Sequence, residues 1–329
     1  MTSVMKNKKV MDVVREEEIE MRTVFAEKMD EFAEADKRVV YLDADLANSI
    51  KMADFSKKHP EQFVNCGIQE ANMIGAAAGM SAAGLIPFVH TFGPFATRRV
   101  MDQLFISAAY AQLNIRLFGS DPGVTATLNG GTHMPFEDMG MLRCVPEVTI
   151  LEPTDSAMLA DLMGQTKDMW GVFYMRLSRK KAKKIYRDGS TFTIGKAEKL
   201  CSGTDVSIFA AGICVAEALR AKEMLDEKGI SAAVYNMFTI KPVDKESIIR
   251  AAQETGAIVT AENHNIINGL GSAVAEVLSE NCCVPLERVG VNDRFGEVGD
   301  VGYLMKTFGL TAEDIMKKAD KAIARKEES

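Results

Sequence analysis

The chain has 329 residues, 47% of them hydrophobic and 26% charged, with a formal net charge of −7. Those proportions describe a globular protein long enough for about two domains. The acidic balance argues against a general nucleic-acid binder, and the six cysteines form no CxxC pair or zinc spacing, so they read as the reduced thiols of a cytoplasmic protein and not as a disulfide framework.

The first 19 residues are a charged extension with no apolar core of the kind a secretory signal needs. From residue 20, apolar runs of strand length alternate with helix-length patterns. RVVYLDAD (38–45), QFVNC (62–66), LIPFVHTF (85–92), NIRLFGS (114–120), EVTILEP (147–153) and VFYMRLS (172–178) read as buried strands. Helix patterns fall at 20–35, 69–83, 95–111 and 154–168. The most apolar stretch, 71–92, carries Asn72, Ser81 and Pro87, and reads as a buried helix running into a strand, not as a membrane span. The basic stretch RKKAKKIYRDGS (179–190) reads as a solvated linker. The alternation then restarts, with strands at 205–212, 231–238, 257–263 and 286–291 and helices near 214–228, 244–255 and 268–280. This predicts an α/β protein of two domains, 20–185 and 186–329, each a mostly parallel sheet with helices on both faces.

In open α/β sheets, ligands bind beyond the carboxyl ends of the strands. In the first domain those ends carry Asp43, Asp45, Asn65, His90, Thr91, Ser120 and Asp121. The second domain offers ENHN (262–265) and little else, so the chemistry belongs to the first. There is no phosphate-binding GxxxxGK[ST] loop, no HExxH, no EF-hand loop and no GxSxG elbow. With four histidines, a dedicated histidine metal site is not expected. Glu70 stands out: it is the last formally charged residue before Arg98, at the mouth of an apolar segment where a carboxylate is costly to bury.

FVNCGIQEANMIGAAAGM (63–80) resembles the N-x-G-I-x-E-x-N-M segment of the thiamine-diphosphate enzymes of the transketolase group. Further matches follow in order: LDADLANS (42–49), HTFGPFATRRVMDQL (90–104) against T-F-x-x-F-x-x-x-R, GGTHMPFEDMGMLRCVP (130–146), EPTD (152–155), RLSR (176–179), and then TIKPVD and AENHNIINGLGSAVAEVL in the second domain. The resemblance spans about residues 20–322. It implies a pyrimidine-binding domain followed by a transketolase C-terminal domain. Full-length members begin with a domain that holds the diphosphate and Mg²⁺ through G-D-G…N, and no GDG occurs here. The implied protein is therefore the C-terminal subunit of a split transketolase. It would work with a separate N-terminal subunit, self-associate as a dimer in an α2β2 assembly, and contact neither nucleic acid nor membrane.

By the same resemblance, Glu70 holds the pyrimidine N1′ of thiamine diphosphate, and Phe92 and Phe95 form an apolar slot for the ring. Ile68, Leu46 and Asp45 complete the cofactor pocket. His133 exchanges protons with substrate hydroxyls, and Arg22, Ser49 and Arg179 grip the sugar-phosphate end. No metal ligand is expected on this chain. Each residue also has an ordinary reading: a helix N-terminal acid for Glu70, core aromatics, a turn residue for Asp45, a loop histidine and surface ion pairs.

Two positions depart from the family pattern. Asn129 stands where many transketolases have an aspartate that reads donor stereochemistry, and Asp121 stands where a histidine contacts phosphate. A carboxylate there repels a phosphate, so a donor other than the standard pentose phosphates is expected. The competing readings are a β subunit of a 2-oxoacid dehydrogenase, a 1-deoxyxylulose-5-phosphate synthase-like carboligase, and a scaffold that has lost its chemistry. The THMPFED and NxGIxExNM segments favour transketolase.

Overall fold

The computed structural model describes residues 9–328. The first part of the extension, residues 1–8, lies outside the described residues. In chain order the strands are β1 (Val10–Glu16), β2 (Val39–Asp43), β3 (Phe63–Asn65), β4 (Ile86–Phe92), β5 (Ile115–Ser120), β6 (Thr149–Leu151), β7 (Val172–Leu177), β8 (Lys183–Tyr186), β9 (Glu198–Cys201), β10 (Val206–Ala210), β11 (Ala232–Asn236), β12 (Thr239–Lys241), β13 (Ile258–Asn265) and β14 (Leu286–Val291).

Seven of them form one sheet in the order β12-β6-β7-β5-β4-β2-β3, and five form a second in the order β14-β13-β10-β11-β9. Both sheets are parallel except at one edge strand each, β12 and β9. Every residue of β2, β5, β7, β10 and β11 is buried, as strands covered by helices on both faces require. The two-domain α/β architecture expected from the alternating pattern is the one observed.

Three features differ from the sequence expectation. Residues 95–111 do not form one helix. A short helix, Gly93–Ala96, is broken at Thr97, and helical structure resumes at Met101 and widens to a π-helix over Leu104–Tyr110. The Thr97 hydroxyl donates to the Gly93 carbonyl at 2.8 Å, which offers the backbone a local alternative to the helix. The basic stretch is not a loose linker, because Lys183–Tyr186 pairs with β1 in an antiparallel ribbon. The second unit also lends β12 to the edge of the first unit's sheet, antiparallel to β6.

The two units are locked by a buried polar network. Arg176, on β7 and fully buried, forms a bidentate pair with Asp138 at 2.8 Å on both arms, and bonds Glu152 at 2.8 Å. It also donates to the carbonyl of Asn263, from the second unit, at 3.1 Å. The opposing charges hold Arg176 well above the usual guanidinium range despite burial and keep Asp138 low. A buried charge of this kind is tolerated because all its partners are in place.

The strand register sets the geometry of the site. Asp43 pairs with His90, Thr91 with Gly119, and Ser120 with Leu177. Strands β4, β5 and β7 therefore end level, at Phe92, Ser120 and Leu177, and β2 stops two residues short of them.

Candidate active site

Glu70 opens the helix Glu70–Ala82 and is only 3% exposed. It is not a lone charge. Its Oε1 accepts from Arg99 Nη1 at 2.8 Å and, more weakly, from the Thr91 hydroxyl at 3.4 Å. Arg99 is the arginine that ends the TFxxFxxxR segment, and the sequence alone gave it no role. Its guanidinium lies over the Phe95 ring, 3.7 Å from the centroid. Glu70, Arg99 and Ile68 line an open depression of about 430 Å³, in which Ile68 is 71% exposed.

From Phe95 the contacts run on without a gap. Phe95 packs against Phe92 at 6.2 Å between centroids, and both rings meet the imidazole of His133, at 5.2 and 5.5 Å. Arg179 stands over the other side of Phe92, 5.0 Å from its centroid. Arg179 then pairs with Asp121, its Nε donating to Oδ2 at 2.8 Å, and its Nη1 donates to the Ser49 hydroxyl. The Ser49 carbonyl in turn accepts from Arg22 Nη1 at 2.8 Å. Eight of the residues read from the sequence thus form one continuous run: Glu70, Phe95, Phe92, His133, Arg179, Asp121, Ser49 and Arg22.

The remaining four have looser ties to it or none. Leu46 is joined through its carbonyl, which accepts from the Ser49 amide at 2.8 Å. Asp45, at φ 62°, accepts from Asn65 Nδ2 at 3.1 Å on the neighbouring loop. Ile68 and Asn129 are exposed, and no hydrogen bond among the described residues ties their side chains to the run.

Other residues, to which the sequence reading assigned no role, hold the run in shape. Arg98 pairs with Glu137 at 2.6 Å and donates to the Thr132 carbonyl at 2.9 Å, which fixes the loop that carries His133. Asn263, fully buried and part of the ENHN motif of the second unit, reaches across. Its Nδ2 donates to the Pro122 carbonyl at 2.8 Å, and its Oδ1 accepts from the Val124 amide at 2.9 Å. The loop it grips begins at Asp121 (φ 58°) and includes Gly123 (φ 51°). A Cβ at Gly123 would fall 2.1 Å from Asn263 Oδ1, so this turn requires glycine twice over, for its φ and for its closeness to Asn263.

The donor set suits one end of an aminopyrimidine cofactor: a buried carboxylate beside two aromatic rings in an open cleft. Among the described residues, no group of three or more His, Cys, Asp or Glu could hold a metal ion, and no helix is long and apolar enough to cross a membrane.

Residues 17–184 match the family model for the transketolase pyrimidine binding domain, and residues 195–315 match the model for the transketolase C-terminal domain. The 6-deoxy-6-sulfo-D-fructose transketolase subunit SqwH of Clostridium sp. (strain MSTE9) is 50% identical over 313 residues, which is 95% of this chain and 97% of that protein. Human transketolase is 32% identical over 91% of this chain, which accounts for only 48% of its own length. A solved structure described as a split gene transketolase, inactive beta4 tetramer, superposes with a TM-score of 0.86 at 39% identity, covering 94% of this chain and 99% of that one. The chain belongs to the transketolase family, as a transketolase pyrimidine binding domain followed by a transketolase C-terminal domain.

Proposed function

We propose that this subunit, together with an N-terminal subunit, transfers a two-carbon ketol unit from an anionic ketose to an aldose, and that its preferred donor carries a terminal sulfonate in place of a phosphate. The carrying observation is the Asp121–Arg179 pair at the end of the contact run.

When bound, thiamine diphosphate supplies the reactive thiazolium carbon, and its diphosphate and Mg²⁺ belong to the partner subunit. Glu70 holds the proton at N1′ of the pyrimidine, and Phe92 and Phe95 give the ring an apolar slot. Leu46, Ile68 and Asp45 close the edge of that pocket. His133, packed on both rings, moves protons to and from the donor's hydroxyls. Asn129 faces the same hydroxyls. Arg22, Ser49 and Arg179 hold the anionic terminus.

The charge count of that terminus favours a monoanion. Arg22 is already paired with Glu20 at 2.8 Å, and Arg179 with Asp121. A phosphate monoester carries about −1.5 to −2 near neutral pH, whereas a sulfonate carries a single charge. Repulsion from Asp121 scales with that charge and is smaller for the sulfonate. The name of the 50% identical relative, a 6-deoxy-6-sulfo-D-fructose transketolase subunit, points to the same donor class.

Self-association uses the exposed small-residue face of the helix Glu70–Ala82. Nothing lies within 4 Å of a Cβ placed at Gly75 or Gly79. Beside them the π-helical segment exposes Phe105, Ile106 and Tyr110. Covering this face with a second copy gives the α2β2 assembly and brings the cleft at Glu70 close to a neighbouring subunit. The six free cysteines suit a reducing cytoplasm.

The test is co-expression with the GDG…N subunit, then a donor panel with thiamine diphosphate and Mg²⁺. We expect kcat/KM for 6-deoxy-6-sulfofructose to exceed that for fructose 6-phosphate by about tenfold or more, equivalent to about 1.4 kcal/mol. Equal or better use of xylulose 5-phosphate with ribose 5-phosphate would overturn the donor assignment.

A further inference from the structure

A second cavity, of about 420 Å³, lies where the two units meet. One wall is built next to the anion grip: Met21 precedes Arg22, Pro122 follows Asp121, and Lys180 follows Arg179. The facing wall is Ile213 and Ala216, at the start of the helix Cys214–Glu227, with Met305 from the helix Val301–Phe308. The cavity and the proposed anion grip are thus built on neighbouring residues.

Its lining carries lysines, the carboxylates of Glu16, Glu152 and Glu217, and the hydroxyl residues Thr125, Thr154 and Ser178. At the rim stand Lys180, Lys181 and Lys183 from the basic stretch. Lys180 and Lys183 face Glu20 and Glu16 only distantly, at 4.0 and 3.8 Å, and Lys181 has no ion-pair partner among the described residues. Deep in the lining is Glu152, 2% exposed. Its Oε1 accepts from Arg176 at 2.8 Å, whereas its Oε2 has no partner among the described residues. Gly212, at φ +53°, lies so close that a Cβ there would come within 2.3 Å of Oε1. Burial raises the pKa of Glu152, against the pull of Arg176. A buried polar atom left without a partner is costly. The free Oε2 suits a hydrogen-bond donor, and the lysine rim suits an anion.

We infer that this interdomain cavity is a second binding site, for a small organic anion with an apolar body and one carboxylate or phosphoryl head. The body packs between Met21, Ile213, Ala216 and Met305. The head faces Lys180 and Lys181, and a donor at the far end, where the ligand has one, gives a hydrogen bond to Glu152 Oε2. The volume is within the range of small-molecule pockets, which begins at about 300 Å³.

The experiment uses the full chain and two probes, phenyl phosphate and benzoate, with benzyl alcohol as the neutral control, measured by calorimetry and ligand-observed NMR. The expected result is saturable binding of one or both anions at one site per chain, and none of benzyl alcohol. Lys181→Glu, a surface change that leaves the core intact, weakens binding by about fivefold or more. Ala216→Trp fills the cavity and abolishes binding, with a melting curve to show that the variant is folded; if it is not, Lys181→Glu carries the test. Arg179→Ala, which breaks the substrate grip, leaves probe binding unchanged. Two results would overturn the inference: no saturable binding of either anion up to about 10 mM, or binding lost in Arg179→Ala but kept in Lys181→Glu. Neither depends on ketol transfer, so they stand apart from the donor assignment.

Discussion

Arg99 Nη1 donates to Glu70 Oε1 at 2.8 Å while the rest of its guanidinium lies flat over Phe95. The carboxylate that looked unpaired in the sequence has a cationic partner 29 residues further on. The pair joins the two features proposed to hold the pyrimidine, the acid and the aromatic slot. It gives Glu70 a donor that offsets the cost of burial.

A double-mutant cycle measures that coupling. Glu70→Gln, Arg99→Ala and the double variant are compared by denaturant unfolding. Arg99 is 42% exposed on its side chain, so the interaction free energy is expected to be modest, about 1 kcal/mol. Additive single effects would show the pair to be incidental. In the assembled enzyme, Glu70→Ala is expected to reduce ketol transfer by about a hundredfold or more. Undiminished turnover would remove Glu70 from the mechanism.

The donor preference turns on Asp121. Its backbone is left-handed, at φ 58°, a conformation asparagine also tolerates. Asp121→Asn therefore removes the charge without straining the loop, and releases Arg179 from its carboxylate partner. The ratio of kcat/KM for fructose 6-phosphate to that for the sulfonate is expected to rise about tenfold, chiefly through KM. An unchanged ratio would mean that Asp121 does not read the anion.

Asn263 is predicted to act at a distance, through the loop it holds. Asn263→Ala breaks both hydrogen bonds to Pro122 and Val124 and leaves the buried Val124 amide unpaired, while the Pro122 carbonyl still accepts from Thr125. A stability loss of about 1–3 kcal/mol follows. In the assembled enzyme the donor KM is expected to rise more than kcat falls, because the loop positions Asp121 and through it Arg179. Asn263→Asp keeps the acceptor for Val124 and should recover part of the loss. A kcat-only defect would argue against positioning.

Glu262 and His264 give opposite pH dependences. Burial raises Glu262 from 4.5 to about 7, against the amides of Gly271 and Leu270. Burial lowers His264 from 6.5 to about 4, against the pull of Asp138. Glu262 holds its proton more tightly in the folded state. Its contribution to stability is full below about 4.5 and is lost as pH rises toward 7. His264 holds its proton less tightly in the folded state. Its contribution is full above 6.5 and is lost as pH falls toward 4. Between those limits the two oppose each other, so the native protein changes little on their account. Glu262→Gln is expected to become less stable on acidification across this window, and His264→Gln less stable on alkalinisation. Each effect is at most about 3 kcal/mol. Urea midpoints between pH 4.5 and 7 check both signs, and parallel profiles for the two variants would contradict them.

Much of the fold was legible because it is written in local pattern. Fully buried parallel strands need unbroken apolar runs, and β2, β4, β5, β7, β10 and β11 all announce themselves that way. The weak edges were not legible. β12 has three residues and pairs antiparallel with a strand of the other unit, a contact that no local period encodes. The basic stretch looked like linker because lysines mark solvent, yet its backbone pairs with β1 while Lys180, Lys181 and Lys183 project over a cavity. The 95–111 segment looked helical from its apolar spacing, which does not register a threonine hydroxyl competing for the backbone at Gly93.

The sequence by itself determined the fold class, the family and the position of Glu70 at a helix start, because each depends on residue type and order along the chain. Tertiary structure alone decided what those residues meet. Glu70 has a cation because the segment after β4 folds back over it, Asp121 holds Arg179 because β5 and β7 end level, and Asn263 grips the substrate loop because the second unit packs against the first. Partners separated by 29, 58 and 141 positions are brought within 3 Å by sheet register and domain docking, which depend on the whole chain and not on any segment.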